Sequence, residues 1–176
     1  MPEPVSLTRP DLAVAAVAVP KASFAAAAAA FETASGVALP SGPASVTASG
    51  RTVIASGPAK FFVIASGISG WDLEKDLASA FGGLALVTDQ SDGRAAFRLG
   101  GTAARAVLAR GASIDLHPSV LVSGTSAVTD FAGIGAVLLA EDDGFLLLVP
   151  RSFSESFAEW IAATMRSVTA EMALAG

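Results

Sequence analysis

Residues 87 to 118 constrain the fold most, because one unbroken stretch passes from alternating to helical spacing and so carries strand, turn, strand and helix in order. Asp92-Gly93 stands between two alternating apolar runs, the pattern of a two-stranded antiparallel hairpin. After Gly100-Gly101-Thr102 the spacing changes: Ala103, Ala106, Val107 and Arg110 follow a helical period, and Thr102 is placed to act as the N-cap.

A chain of 176 residues suits one domain or two small halves packed as one, and is long enough to bury a real core. Hydrophobic residues make up 52% of it and charged residues only 15%, so part of the apolar surplus is expected to meet a partner. A net charge of -5 with scattered basic residues argues against nucleic acid, whose backbone needs clustered Lys and Arg. With no Cys and a single His there is neither a disulfide framework nor the ligand set of a zinc centre. The apolar segments Leu12 to Val19 and Phe24 to Phe31 fall well short of the ~20 residues of a membrane helix. Glu3 and Asp11 stand where a secretory signal needs positive charge, so a cytoplasmic chain is expected.

Pro2, Pro4 and Pro10 mark residues 1 to 10 as an extended N-terminal arm. Leu12, Val14, Val17 and Val19 read as a strand ending at Pro20, and Ser23 as the cap of an alanine-rich helix to about Thr33 with Phe24 and Phe31 on one face. Ser35 to Gly50, rich in Gly, Pro and Ser, reads as a loop. Arg51 to Ala55 and Phe61 to Ala65 form a hairpin through Ser56 to Lys60, followed by a helix from Gly70 or Trp71 to Phe81 whose apolar side is Trp71, Leu73, Leu77, Ala80 and Phe81. Ser126 to Phe131 and Ile134 to Ala140 are strand-like, and Glu141 to Gly144 turns the chain back into Phe145 to Val149, where Pro150 ends the pairing. Ser152 or Ser154 caps a last helix carrying Phe153, Phe157, Trp160, Ile161 and Met165.

Strand, turn, strand, helix thus recurs at residues 51 to 81, 85 to 110 and 134 to 173. With the N-terminal strand and helix the order becomes βαββαβ, and a partly matching βαββα order starts near Arg94. The expected fold is α+β, with antiparallel sheets in two ferredoxin-like halves, about 11–93 and 94–176, within one domain at 11–176.

No chemistry-bearing constellation emerges. His117 has only Asp115 nearby in a loop ending at Pro118, the pattern of an imidazole that fixes its loop. No Gly-x-Ser-x-Gly elbow supports a serine nucleophile. Gly133-Ile134-Gly135 lacks the third glycine and the helix of a dinucleotide fingerprint, and reads as a bulge or tight turn. Gly100-Gly101-Thr102 with Arg105 one turn on reads as a helix start in preference to an anion site. Asp142-Asp143-Gly144 lacks the ligand spacing of a calcium loop. Arg98, on a strand, must reach solvent or a carboxylate.

The stretch from Val87 is similar to VTDxSxGRxxxRLxGxxARxVLAxGxxxDLHP, a pattern of the gamma subunit of heterotetrameric sarcosine oxidases. It is carried by Val87, Thr88, Asp89, Ser91, Gly93, Arg94, Arg98, Leu99, Gly101, Ala104, Arg105, Val107, Leu108, Ala109, Gly111, Asp115, Leu116, His117 and Pro118. Arg151, Ser152, Phe153, Glu155, Phe157, Trp160 and Ile161 resemble that family's RSFxExFxxWI, and Arg51-Thr52-Val53 with Gly57-Pro58 its first hairpin. The chain departs from it at Ala59-Lys60-Phe61, where the family tends to Asp-Glu-Trp, and at Ser126-Ala127-Val128-Thr129, where it tends to Cys-Ala-Gln-Thr.

The resemblance implies a non-catalytic accessory subunit of the complex that oxidatively demethylates sarcosine to glycine, with a fold like the folate-binding domain of aminomethyltransferases. It implies no cofactor in this chain. FAD, FMN, NAD and tetrahydrofolate belong to the larger alpha and beta subunits and zinc to the small delta subunit. Trp71, Arg94, Arg105, His117, Arg151 and Trp160 are the candidates for a partner interface, and no residue is assigned to catalysis, cofactor or metal. A stand-alone tetrahydrofolate-binding or aminomethyltransferase-like module is the alternative, and would need a pterin-recognising carboxylate such as Asp89, Asp115 or Asp130. A homo-oligomeric binding protein is a third reading.

Overall fold

The computed structural model describes residues 4–175, so residues 1 to 3 of the expected arm lie outside the described residues. Along the chain run β1 (Ser6–Thr8), β2 (Ala13–Ala18), α1 (Phe24–Ser35), β3 (Ser45–Ala48), β4 (Arg51–Gly57), β5 (Lys60–Ala65), α2 (Gly70–Ala80) and β6 (Leu86–Asp89). They are followed by β7 (Arg94–Gly100), α3 (Ala104–Ala109), β8 (Ser126–Phe131), β9 (Ile134–Glu141), β10 (Gly144–Pro150) and α4 (Ser154–Ala175). Two units result: Asp11–Arg94 with Gly124–Ala127, and the N-terminal residues through Pro10 with Ala95–Ser123 and Val128 onward.

The Asp11–Arg94 unit holds a five-stranded sheet in the order β3-β4-β5-β2-β6, with each of its strand pairs antiparallel. Read as β2-α1-β4-β5-α2-β6 it is the βαββαβ plan, with β3 added at one edge. One face of the sheet presents Ala15, Val17, Val53, Phe61 and Val63 to Ala27 and Phe31 of α1 and Leu73 and Leu77 of α2. The Phe31 and Phe81 rings stack at 4.8 Å. Ser69 caps α2, accepting the Asp72 amide at 3.1 Å and donating its hydroxyl to the Asp72 carboxylate at 2.6 Å. The buried Ser126 hydroxyl lies within reach of two carbonyls, Ala55 at 2.7 Å and Ala44 at 3.2 Å, and so is not left unsatisfied.

The second unit has a five-stranded sheet ordered β1-β7-β10-β9-β8. Its elements β7-α3-β9-β10-α4 lack a closing strand after α4, and β1 fills that place beside β7, pairing Ser6 with Gly100, Leu7 with Leu99 and Thr8 with Arg98. β8 is then the counterpart of β3. The same five-strand plan occurs in both units, and its last strand in this one comes from the opposite end of the chain. Phe97 and Phe157, both fully buried, meet at 5.2 Å between sheet and α4.

Several local expectations are corrected. The strands flanking Asp92-Gly93 do not pair: β6 lies on β2, and β7 belongs to the other sheet. Neither Asp92 nor Gly93 takes the positive φ of a two-residue hairpin turn, and the chain bends instead through Gly93 and Arg94 amides donating to the Gln90 carbonyl. The Ser35 to Gly50 loop contains β3, joined to β4 by Ser49-Gly50, which do take positive φ (51° and 75°). Thr102 does not cap α3: the cap is Ala103, with no side-chain bond, and its amide donates to the Pro4 carbonyl at 2.9 Å.

Trp71 does not join the apolar side of α2 and is 70% exposed, because it precedes Leu73 by two residues and so lies about 200° round the helix. Phe153 sits in a 3-10 turn before α4 and is half exposed, and Phe24, at the first position of α1, is likewise not core.

Candidate functional site

A polar arrangement in the second unit is built around Arg105. It rises from the first turn of α3, where burial of Ala104, Val107 and Leu108 fixes the helix and turns the longer side chain outward. Its guanidinium donates to the Leu116 carbonyl and, at 3.3 Å, to the Leu121 carbonyl, and it lies 5.0 Å from the centroid of Phe145 on β10. Arg105 therefore clamps both ends of the segment from Leu116 to Leu121, which carries His117 and Pro118 and directly follows Asp115.

Within that segment the Asp115 carboxylate accepts the His117 amide at 2.8 Å, and the His117 carbonyl accepts the Val120 and Leu121 amides. His117 Nδ1 lies 2.7 Å from Ser119 Oγ and accepts the Ser119 amide at 3.3 Å. The imidazole is exposed and its contacts are local, which is the geometry of a loop brace and not of a base aimed into a pocket.

Trp160 of α4 is half-buried against Phe157 at 5.7 Å and Phe131 at 6.4 Å. Its indole edge lies so close to Gly111 that a Cβ there would meet Cζ2 at 2.5 Å. Arg98 meets Glu141 with two hydrogen bonds of 2.8 and 3.0 Å. Arg9 pairs with Glu155 at 2.8 Å and lies 5.0 Å from the Phe97 centroid, which ties the segment bearing β1 to α4. The Glu155 carboxyl is held below its ordinary value by the Arg9 hydrogen bond and then by that charge. Arg151 is exposed in the turn before α4. In the other unit Trp71 is exposed and the Arg94 guanidinium covers the Phe62 ring at 5.1 Å. Of the six interface candidates, only Arg105 and His117 are thus drawn into one arrangement.

The cavities among the described residues include the following three. One of about 390 Å³ adjoins Arg105 and is lined by Gly101, Thr102 and the β9–β10 turn Glu141 to Gly144. A shallow apolar groove of about 740 Å³ runs between Pro4–Leu7 and α4, along Ala162, Met165 and Thr169. A third, of about 230 Å³, opens between α1, α2 and the sheet of the Asp11–Arg94 unit. None of them is lined by Asp89, Asp115 or Asp130. Asp89 is engaged by the Ser91 amide and hydroxyl at 2.8 and 2.7 Å. Among the described residues no three His, Cys, Asp or Glu side chains converge as a metal site, and no helix is long and apolar enough to cross a membrane. The β1–α4 groove and the third cavity escaped sequence reading, since neither carries a motif.

Residues 20–167 match the model of the sarcosine oxidase, gamma subunit family. Sarcosine oxidase subunit gamma from Corynebacterium sp. (strain P-1) is 31% identical over 124 residues, which are 69% of this chain and 60% of that protein. The match thus spans less than two thirds of that relative. Among solved structures, the heterotetrameric sarcosine oxidase from Corynebacterium sp. U-96 in complex with pyrrole 2-carboxylate aligns at a TM-score of 0.81 and 27% identity, over 96% of this chain and 88% of the matched one. Glycine cleavage system aminomethyltransferase T from Bartonella henselae aligns at a TM-score of 0.69 and 19% identity, over 89% of this chain and 45% of that one, a likeness of fold. With most of its length, including both motif-bearing stretches, inside the matched region, this chain belongs to the sarcosine oxidase gamma subunit family.

Proposed function

We propose that this chain is a non-catalytic accessory subunit of a cytoplasmic heterotetrameric sarcosine oxidase and supports assembly of the complex that oxidatively demethylates sarcosine to glycine. The observation that carries this reading is the alignment of 96% of the chain with a chain of a heterotetrameric sarcosine oxidase. The roles of the motif residues support it. Arg98, Arg105, Gly111, Asp115 and Glu155 are occupied in holding strands, a loop and helices together. In this reading the larger alpha and beta subunits hold FAD, FMN, NAD and tetrahydrofolate, and the small delta subunit holds zinc. Trp71, His117 and Arg151 are exposed and would meet the partners directly, while Arg94, Arg105 and Trp160, partly buried, would shape the surface they meet.

Co-expression with the flavin- and NAD-binding subunits, followed by size-exclusion chromatography, tests the proposal. Elution of all chains in one species is expected. A chain that elutes apart from those subunits, and on its own binds tetrahydrofolate, would instead support the stand-alone folate-binding module.

A further inference from the structure

We propose that the cleft between α1, α2 and the sheet of the Asp11–Arg94 unit is a binding site for a small monoanionic carboxylic acid with an aromatic or branched apolar body. The cleft measures about 230 Å³ and is walled by Phe31, Val37, Val53, Val63 and Leu77, with the small, partly exposed Ala80 of α2 also lining it. Apolar cavities of about 150 Å³ stay dry and accept benzene-sized guests, so this one has room for a single ring or a branched chain. Its walls do not readily collapse inward: Phe31 is held by its stack on Phe81, and Val63 and Leu77 are fully buried among their neighbours.

The rim supplies the polar half of the recognition. Arg51, the first residue of β4, lines the cleft and is about one third exposed. One of its terminal nitrogens donates to Asp76 on α2 at 2.6 Å, and its other donors meet no acceptor among the described residues. A guanidinium has five N–H donors in a planar fork, so a second carboxylate can bind beside the first. Asp76 already faces the same guanidinium, and its negative charge repels a dianion such as phosphate more than a monoanion, while the apolar walls favour an organic one, so the guest is a monoanionic carboxylate with an apolar body. This inference goes beyond the subunit reading and does not depend on it.

Benzoate and its uncharged analogue toluene, titrated into the full-length chain with methyl NMR as the readout, test the site. Saturable benzoate shifts at Val53, Val63 and Leu77 with a Kd at or below about 1 mM are expected. Arg51→Gln should weaken benzoate about tenfold, because it removes the charged donor and leaves the Asp76 carboxylate unpaired beside the anion, and should leave toluene, which has no charge to meet either group, unchanged. Ala80→Leu, which fills the cleft, should abolish both. Benzoate shifts that do not saturate, that survive Ala80→Leu, or that keep their affinity in Arg51→Gln would overturn the proposal. Should Ala80→Leu fail to fold, Arg51→Gln, at a partly exposed position, decides alone.

Discussion

At Gly111 the backbone and the Trp160 indole share a space that admits no side chain, since an added Cβ would sit 2.5 Å from Cζ2 and 2.9 Å from the Ala132 amide nitrogen. Gly111→Ala must displace the ring or the α3–β8 segment, and overpacking of this kind costs about 1–3 kcal/mol. Urea denaturation of the two chains measures it, and Trp160→Phe in the alanine background should recover part of the loss. The glycine that this chain shares with the family pattern is required here for want of room. Glu155 gives a second expectation at this scale. Its folded carboxyl is depressed by Arg9, so the stability it contributes is present above its ordinary value near 4.5 and is lost as the pH falls through the lower folded value. Glu155→Gln should therefore lower the urea midpoint at neutral pH, modestly because water screens an exposed pair, and the two midpoints should converge in acid. A gap that persists unchanged to about pH 2 would exclude this linkage.

Among the elements, β1 matters beyond its three residues. It closes the second sheet beside β7, its neighbour Val5 is 4% exposed, and the Pro4 carbonyl receives the Ala103 amide at the start of α3. Deleting residues 1 to 8 should remove about 1.5–3 kcal/mol of apolar burial at Val5 alone. It should also open the β7 edge to pairing with other chains, seen as light scattering that rises with concentration. A truncated chain with unchanged stability and no scattering would show that β1 is dispensable.

This strand was not legible because Ser6-Leu7-Thr8 lies among prolines and its partner is about ninety residues away along the chain. β3 escaped notice for a related reason, its Ser-Val-Thr-Ala having a single strong apolar residue. β4, β5, β9, β10, α2 and α4 were legible, because their apolar runs are long and bounded by proline, glycine or a capping serine. The Asp92-Gly93 error shows the limit of such signals. A turn can be read locally, but whether the strands it joins will pair is settled by competing partners, here β2 for β6. Of the candidate site, the tie between Arg105 and the His117 segment is a contact between a side chain and distant carbonyls, for which the sequence carries no mark beyond the motif itself.

For the whole molecule, the surplus of apolar residues over charged ones, 52% against 15%, is only partly absorbed by the two cores. Trp71 and Leu86 each remain 70% exposed, and Val120, Val122 and Val128 are each more than half exposed. Isolated exposed hydrophobics are ordinary, but tryptophan is costly to leave in water and over-represented among interface anchors. If these side chains meet partner subunits in the complex, the chain purified alone should self-associate, eluting larger than 17.5 kDa and increasingly so with concentration. Trp71→Ser combined with Val120→Ser should move it toward the monomer while leaving the urea midpoint nearly unchanged, because exposed positions carry little folding energy. A double variant that elutes like the parent would place the association elsewhere, and a parent that is monomeric at all concentrations would remove the argument that its exposed apolar side chains await a partner.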